Sequence, residues 1–329
     1  MLFGHSEEWG ALTGVSLLYC GATPRGNRDG LLLLAKGTLI MFLQQLVNGI
    51  MLGSTYSLVA IGYTLIFGVL NLLHFAHGEV FMLGAFFGLQ IVLGLKVGIF
   101  GGMVGAMLGT ALFGWLIERA AFRPIKKEYF LAPLIATIGI TIILQEMANK
   151  IFGSEPMGFP QTVEIRNFQL GPIGINTLQI LILSISIFLM VVLHLFVTRT
   201  KLGRGMRATA ENATIARLLG VKVNRIIVIT FMIASALAGA AGVLVGMMYN
   251  TISPYMGAQM AGKGFAIMLL GGLGNIQGAM VGGLILGVAE ILSVGYLASS
   301  YRDAFAFGVM ILILIFRPSG LFGSLIHED

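Results

Sequence analysis

The chain has 329 residues, of which 57% are apolar and 10% charged. Soluble domains carry roughly 25% charged residues, so most of this chain cannot face water, and a mean hydropathy of +0.93 makes lipid its solvent. The net charge of +6 does not mark a nucleic-acid partner, because the basic residues sit between apolar runs and read as a topology signal. Its single cysteine, Cys20, excludes an internal disulfide and a cysteine-based metal site.

Residues 1–30 combine Glu7, Glu8, Pro24, Arg25, Arg28 and Asp29 with a weak apolar run from Ala11 to Cys20. Acids rather than bases precede that run, which argues against a cleaved signal peptide. The strong pattern begins at Met41, and the expectation is that Met41 is the native start, with residues 1–40 a poorly defined extension. A bilayer core needs about 20 apolar residues per helix. Runs of that kind fall at 41–70, 78–95, 97–117, 130–152, 177–198, 226–249, 264–291 and 303–316. They predict an all-α polytopic membrane helix bundle of about eight spans. The first run is long enough for one tilted span or two short ones. The run 264–291 contains Gly271, Gly272 and Gly274 and is expected to be a broken or re-entrant helix.

Lysine and arginine set the orientation. Segment 118–128 holds Arg119, Arg123, Lys126 and Lys127, and segment 199–225 holds Arg199, Lys201, Arg204, Arg207, Arg217, Lys222 and Arg225. Both are expected to be cytoplasmic, with 153–176 outside and Arg317 placing the C-terminus inside. Glycines recur at a spacing of four in Gly98/Gly102, Gly101/Gly105/Gly109, Gly242/Gly246, Gly278/Gly282 and Gly283/Gly287. In membrane helices that spacing builds close crossings.

Several motifs invite a functional reading and lose it on inspection. Gly257 to Gly264 resembles a phosphate-binding loop, but Gly264 stands where Ser or Thr must hold magnesium and no strand precedes it. Nucleotide binding by this chain is therefore not expected, and Lys263 reads as an interfacial charge at a helix start. His74, His77 and Glu79 could begin a metal site, yet His194, His5 and His327 lie on a distant span or in tails, so no metal is expected. These residues read instead as polar groups at a helix break near the membrane surface. Glu79 remains a pathway candidate because an ionisable residue within a span is one by default. Glu146 and Glu290 sit near span ends, where solvation is the cheaper explanation. Asn212-Ala213-Thr214 matches a glycosylation acceptor in a loop predicted to be cytoplasmic, so the match reads as chance. No catalytic residues are predicted.

The stretch 206–225 is more informative. Thr209 can cap a short helix on which Ile215, Leu218 and Leu219 share one face. Arg217 falls in its last turn and Gly220 suits its C-cap. An amphipathic helix with alanines and a central Glu211, lacking aromatic anchors, suits a groove on a partner protein better than headgroups.

At these residues the chain resembles the permease subunits of ABC importers for branched-chain amino acids. The similarity is carried by Ala210 to Gly220 (AENATIARLLG), Asn48 to Tyr56 (NGIMLGSTY) and Phe75 to Val80 (FAHGEV). It continues in Leu270 to Ala279 (LGGLGNIQGA) and Arg317 to Gly323 (RPSGLFG). It covers about 41–323, read as one transmembrane permease domain with a coupling loop at 199–225 and a tail at 324–329. The resemblance implies a multi-pass protein of the bacterial cytoplasmic membrane, working with a homologous second permease, two ABC ATPase subunits and an extracytoplasmic solute-binding protein. ATP and magnesium would be bound by the ATPase partners, with no cofactor in this chain. It implies ATPase coupling through Ala210, Glu211, Asn212, Ala216, Leu219 and Gly220. Candidates for the translocation pathway are His77, Glu79, Gly271, Gly272 and Asn275. The implied solutes are leucine, isoleucine and valine, with urea, short-chain amides or a broad amino-acid range as alternatives. Related urea permeases typically carry a long N-terminal region that this chain lacks. From another class, an ion-coupled secondary carrier would need a mid-membrane carboxylate and paired half-helices, and a passive channel would not need the helix at 206–220.

Overall fold

The computed structural model describes residues 28–125, 131–161, 163–296 and 299–323. The apolar run Ala11–Cys20, residues Lys126 and Lys127, and the tail 324–329 lie outside the described residues, as do the histidines His5 and His327. Contacts divide the chain into Met1–Leu43 and Gln44–Asp329.

The long helices are α1 (Arg28–Leu70), α2 (His77–Leu95), α3 (Ile99–Ile117), α4 (Leu131–Phe152), α5 (Thr177–Arg199) and α8 (Val223–Tyr249). They continue with α9 (Met256–Gly271), α10 (Ile276–Tyr296) and α11 (Arg302–Phe316). Two short helices, α6 (Lys201–Glu211) and α7 (Ala213–Leu218), fill the basic loop. Among the described residues, eight helices are long and apolar enough to cross a membrane. The first apolar run is a single helix and not two short spans. The predicted outer loop carries small antiparallel pairings. Strand β1 (Met157–Gly158) pairs with β4 (Thr251–Ile252), and β2 (Asn167–Leu170) pairs with β3 (Ile173–Asn176).

Apolar residues lie both inside the bundle, as with Tyr56, Phe81 and Phe86, and on its outside. Large apolar residues such as Phe100, Val104, Leu108 and Leu112 on α3, and Ile311, Leu312 and Ile315 on α11, point outward. The interior carries small and polar groups such as Ser54, Thr55 and Ser57. In lipid no hydrophobic force drives helices together, so association depends on close backbone approach and hydrogen bonds. Helix α2 crosses α8 where a Cβ on Gly84 would sit 2.3 Å from the Gly239 Cα. Helix α1 crosses α10 where a Cβ on Gly287 would sit 2.3 Å from the Gly53 Cα. The glycine ladder on α3 behaves differently. Gly102, Gly105 and Gly109 receive the side chains of Val92, Ile91 and Phe87 from α2, while nothing approaches Gly98. That ladder is a groove for side chains and not a backbone crossing.

The run expected at 264–291 is two elements. Helix α9 begins earlier, at Met256, and ends at Gly271, and α10 starts at Ile276. The break requires Gly272 at φ +104° and Gly274 at φ +78°, backbone that side-chain-bearing residues rarely adopt. The helices fold back closely, with a Cβ on Gly278 falling 2.0 Å from the Gly271 carbonyl oxygen. The C-terminal segment closes the break. Leu321 N–H donates to the Leu270 carbonyl at 2.8 Å and Phe322 N–H to the Gly271 carbonyl at 3.1 Å. These bonds satisfy carbonyls that the end of α9 would leave orphaned in lipid.

Candidate coupling and translocation site

The segment predicted to couple, 199–225, is built by caps. Thr200, rather than Thr209, starts α6 by accepting from Gly203 N–H at 3.0 Å. Thr209 lies within α6, buried, its hydroxyl donating to the Gly205 carbonyl at 2.7 Å. The cap of α7 is Asn212, whose side-chain oxygen accepts from Thr214 N–H at 2.9 Å and Ile215 N–H at 3.0 Å. That occupation gives Asn212 and Thr214 a structural reason to sit two apart. At the other end Gly220 adopts φ +85°. Gly220 N–H donates to the Arg217 carbonyl at 3.0 Å and Val221 N–H to the Ala216 carbonyl at 2.9 Å. This paired pattern is the Schellman closure, which needs the left-handed residue that glycine supplies.

A six-residue helix has no stability of its own. Its caps and buried Ala216 therefore hold α7 in place while its apolar residues face outward. Ile215 is 54% exposed, Leu218 83% and Leu219 77%.

The structure brings part of the predicted coupling set together with part of the predicted pathway set. Ala210 and Glu211 line a cavity of about 550 Å³ together with Asn71, His194, Arg207, Gly274 and Asn275. Asn275 organises the far wall. Its side-chain oxygen accepts from Gly278 N–H at 2.9 Å, capping α10, and its amide donates to the Phe322 carbonyl at 3.0 Å. Gly271 and Gly272 are buried behind that wall at the end of α9. The end of α6 and the α9–α10 break thus face one space.

His77 and Glu79 do not line it. They are fully buried at the start of α2, beside the helix break that the sequence predicts. The His77 ring meets Tyr63 of α1 edge-on, with centroids 4.7 Å apart. The Glu79 carboxylate packs against Gly257 of α9, where a Cβ would fall 2.4 Å from Oε2. Both carboxylate oxygens lack a hydrogen-bond partner.

Two further readings are overturned. Lys263 is not an interfacial charge at a helix start but a buried residue in the middle of α9. Glu290 is not solvated near a span end; it is fully buried on α10 and accepts from Lys263 Nζ at 2.9 Å. Glu146, by contrast, is exposed on α4. The Lys263–Glu290 pair joins residues 27 apart across a helix break, a separation at which no helical periodicity signals contact.

An apolar multi-span bundle with a broken helix, a cavity beside that break and a short capped helix with exposed apolar residues fits a membrane transport protein. Residues 45–314 match the family described as "Branched-chain amino acid transport system / permease component". The chain is 40% identical over 296 residues to the high-affinity branched-chain amino acid transport system permease protein LivH of Escherichia coli (strain K12). That alignment covers 86% of this chain and 96% of that protein. It is 41% identical over 295 residues to the corresponding protein BraD of Pseudomonas aeruginosa, with the same coverage. A shorter likeness, 33% over 149 residues, covers 44% of this chain and 34% of the permease protein LivM of E. coli (strain K12). No solved structure matches. The chain belongs to the branched-chain amino acid permease family, and it is a multi-pass transport subunit.

Proposed function

We propose that this chain is the membrane-spanning subunit of an importer that carries leucine, isoleucine and valine into the cytoplasm, driven by ATP hydrolysed in two separate ABC ATPase subunits. A homologous second permease completes the membrane unit, and an extracytoplasmic binding protein delivers the solute. ATP and magnesium reside in the ATPase partners, and the complex sits in the bacterial inner membrane. The observation that carries this reading is α7, a helix too short to stand alone, fixed by Asn212 and Gly220 with Leu218 and Leu219 unpartnered at its surface. Such a helix suits a groove on a partner.

The mechanism follows from the shared cavity. Closure of the ATPase dimer displaces α7 and, through the one-residue joint at Asn212, α6. Ala210 and Glu211 then move against the α9–α10 break, and the helix packs behind it shift as rigid bodies between outward- and inward-open arrangements. Ala210, Glu211, Asn212, Ala216, Leu219 and Gly220 are the coupling residues in this reading. Asn275, Gly271 and Gly272 shape the inner pathway, with His77 and Glu79 inside the bundle.

The test is uptake in proteoliposomes holding the complete complex. Glu211→Lys and Gly220→Val are each expected to abolish ATP-driven uptake while the subunit still inserts. Uptake at the wild-type level from both would remove the coupling role. The buried Glu79 gives an ion-coupled carrier one supporting observation, since both its oxygens are unpaired. Uptake that follows an imposed proton or sodium gradient without ATP would favour that reading.

A further inference from the structure

The transport reading leaves one charged cluster of the described interior unused. Glu290 Oε1 on α10 accepts from the Tyr56 hydroxyl of α1 at 3.0 Å, from Lys263 Nζ of α9 at 2.9 Å and from the Arg302 guanidinium of α11. Arg302 also donates to the Tyr249 hydroxyl of α8 at 2.7 Å, and Lys263 pairs with Asp303 at 3.0 Å. Two cations and two carboxylates thus tie five helices. Helix α11 depends on these bonds more than its neighbours do, because only 6% of its span is buried against the rest of the chain.

The cluster is graded from dry to wet. Side-chain exposure is 0% at Glu290, 10% at Lys263, 31% at Arg302 and 67% at Asp303. Breaking a pair between two buried groups leaves an uncompensated charge in a low-dielectric interior, whereas in the bonds to α11 the outer partner is exposed and the inner one keeps the Lys263–Glu290 pairing, so those bonds break at lower cost. The dry pair, Lys263–Glu290, lies within the α9–α10 hairpin and staples its two arms. The wet groups, Arg302 and Asp303, belong to the first turn of α11 and fasten that helix to the hairpin. A merely static tie would hold at least as well with apolar groups of similar volume. Ionisable groups within a span are costly and mark function by default.

The hairpin also has a second end. Its tip at Gly274 and Asn275 lines the cavity beside Arg207 and Glu211. From Ile276 to Glu290 is 14 residue steps along the helix, about 21 Å at the α-helical rise. A push on the tip therefore reaches the cluster as a tilt of a stapled unit, and the wet bonds to α11 are those that yield.

We propose that Arg302 and Asp303 are positioning residues forming a latch, which fastens α11 to the stapled α9–α10 hairpin in one transport state and releases it when the hairpin tilts. None of these groups touches solute in this account. The latch sets how tightly ATP turnover is tied to solute movement, and it rests on the transport reading above.

The experiment compares Arg302→Gln, Asp303→Asn and the conservative Arg302→Lys in the full complex in proteoliposomes. It reads complex assembly, Tm, ATPase rate without solute, and uptake per ATP. Arg302→Gln and Asp303→Asn are expected to assemble with Tm within about 2 °C of wild type. Each should raise solute-free ATPase at least threefold and lower uptake per ATP at least threefold, with Arg302→Lys returning both within twofold of wild type. Asp303 is mostly exposed, so Asp303→Asn keeps the test informative if the arginine variants fold poorly. Ratios unchanged from wild type, or uptake falling only in step with lost assembly, overturn the latch and leave a static tie. Absence of ATP-driven uptake by the wild-type complex overturns the transport reading and the latch with it, while wild-type uptake with unchanged ratios overturns the latch alone.

Discussion

Asn212 and Gly220 bracket α7, the shortest α-helix among the described residues. Asn212 accepts two N–H groups at the start of α7. Losing such a cap costs about 1 kcal/mol, most of the margin available to a six-residue helix. Asn212→Ala is expected to speed hydrogen exchange across 213–218 and reduce uptake, while Asn212→Asp, which keeps an acceptor, preserves both. Equal exchange in the two variants would show that the cap is not what orders α7. Gly220 was legible in the sequence because a glycine after a short amphipathic run is a recognisable helix stop. The cap was not: Thr209 and Asn212 are both good capping types, and the choice depended on where α6 ends. Lys263 and Glu290 were misread for a related reason. Their cost of burial is met by partners on other helices, and a single span carries no trace of those partners.

At the scale of elements, the apolar runs reveal the spans and the glycines reveal the break, since both follow from the length of the bilayer and from sterics. What the runs do not reveal is which glycines face a backbone. Gly84 and Gly239 form the tight α2–α8 crossing, yet neither belongs to a four-spaced pair singled out in the sequence. Replacing Gly84 with Val would force side-chain atoms into the α8 backbone, and overpacking of this kind costs roughly 1–3 kcal/mol or more. Gly84→Val is therefore expected to lower the Tm of the purified subunit and its yield, whereas Gly98→Val, at a position that nothing approaches, leaves both unchanged. The break between α9 and α10 is likewise half visible. Its glycines announce it, but the return of Leu321 and Phe322 to the end of α9 is a long-range contact. Truncation after Arg317 is expected to leave the Leu270 and Gly271 carbonyls without these partners. Uptake should then fall severalfold with insertion intact; normal uptake by the truncated chain would show that the segment is dispensable.

At the scale of the whole molecule, the chain offers packed helices, a cavity beside the α9–α10 break and, on α7, apolar residues that are exposed among the described residues. In the proposed importer the ATPase subunits supply the surface on which α7 docks. The central claim is that this subunit borrows its energy through α7. The most direct measurement is accumulation of labelled leucine in proteoliposomes containing the complete set of subunits. Accumulation is expected only with ATP on the side that α7 faces, only when the ATPase subunits and binding protein are present, and not with Glu211→Lys in place of wild type. Leucine accumulating without ATP under a proton or sodium gradient, or undiminished uptake by the Glu211→Lys complex, would contradict the account.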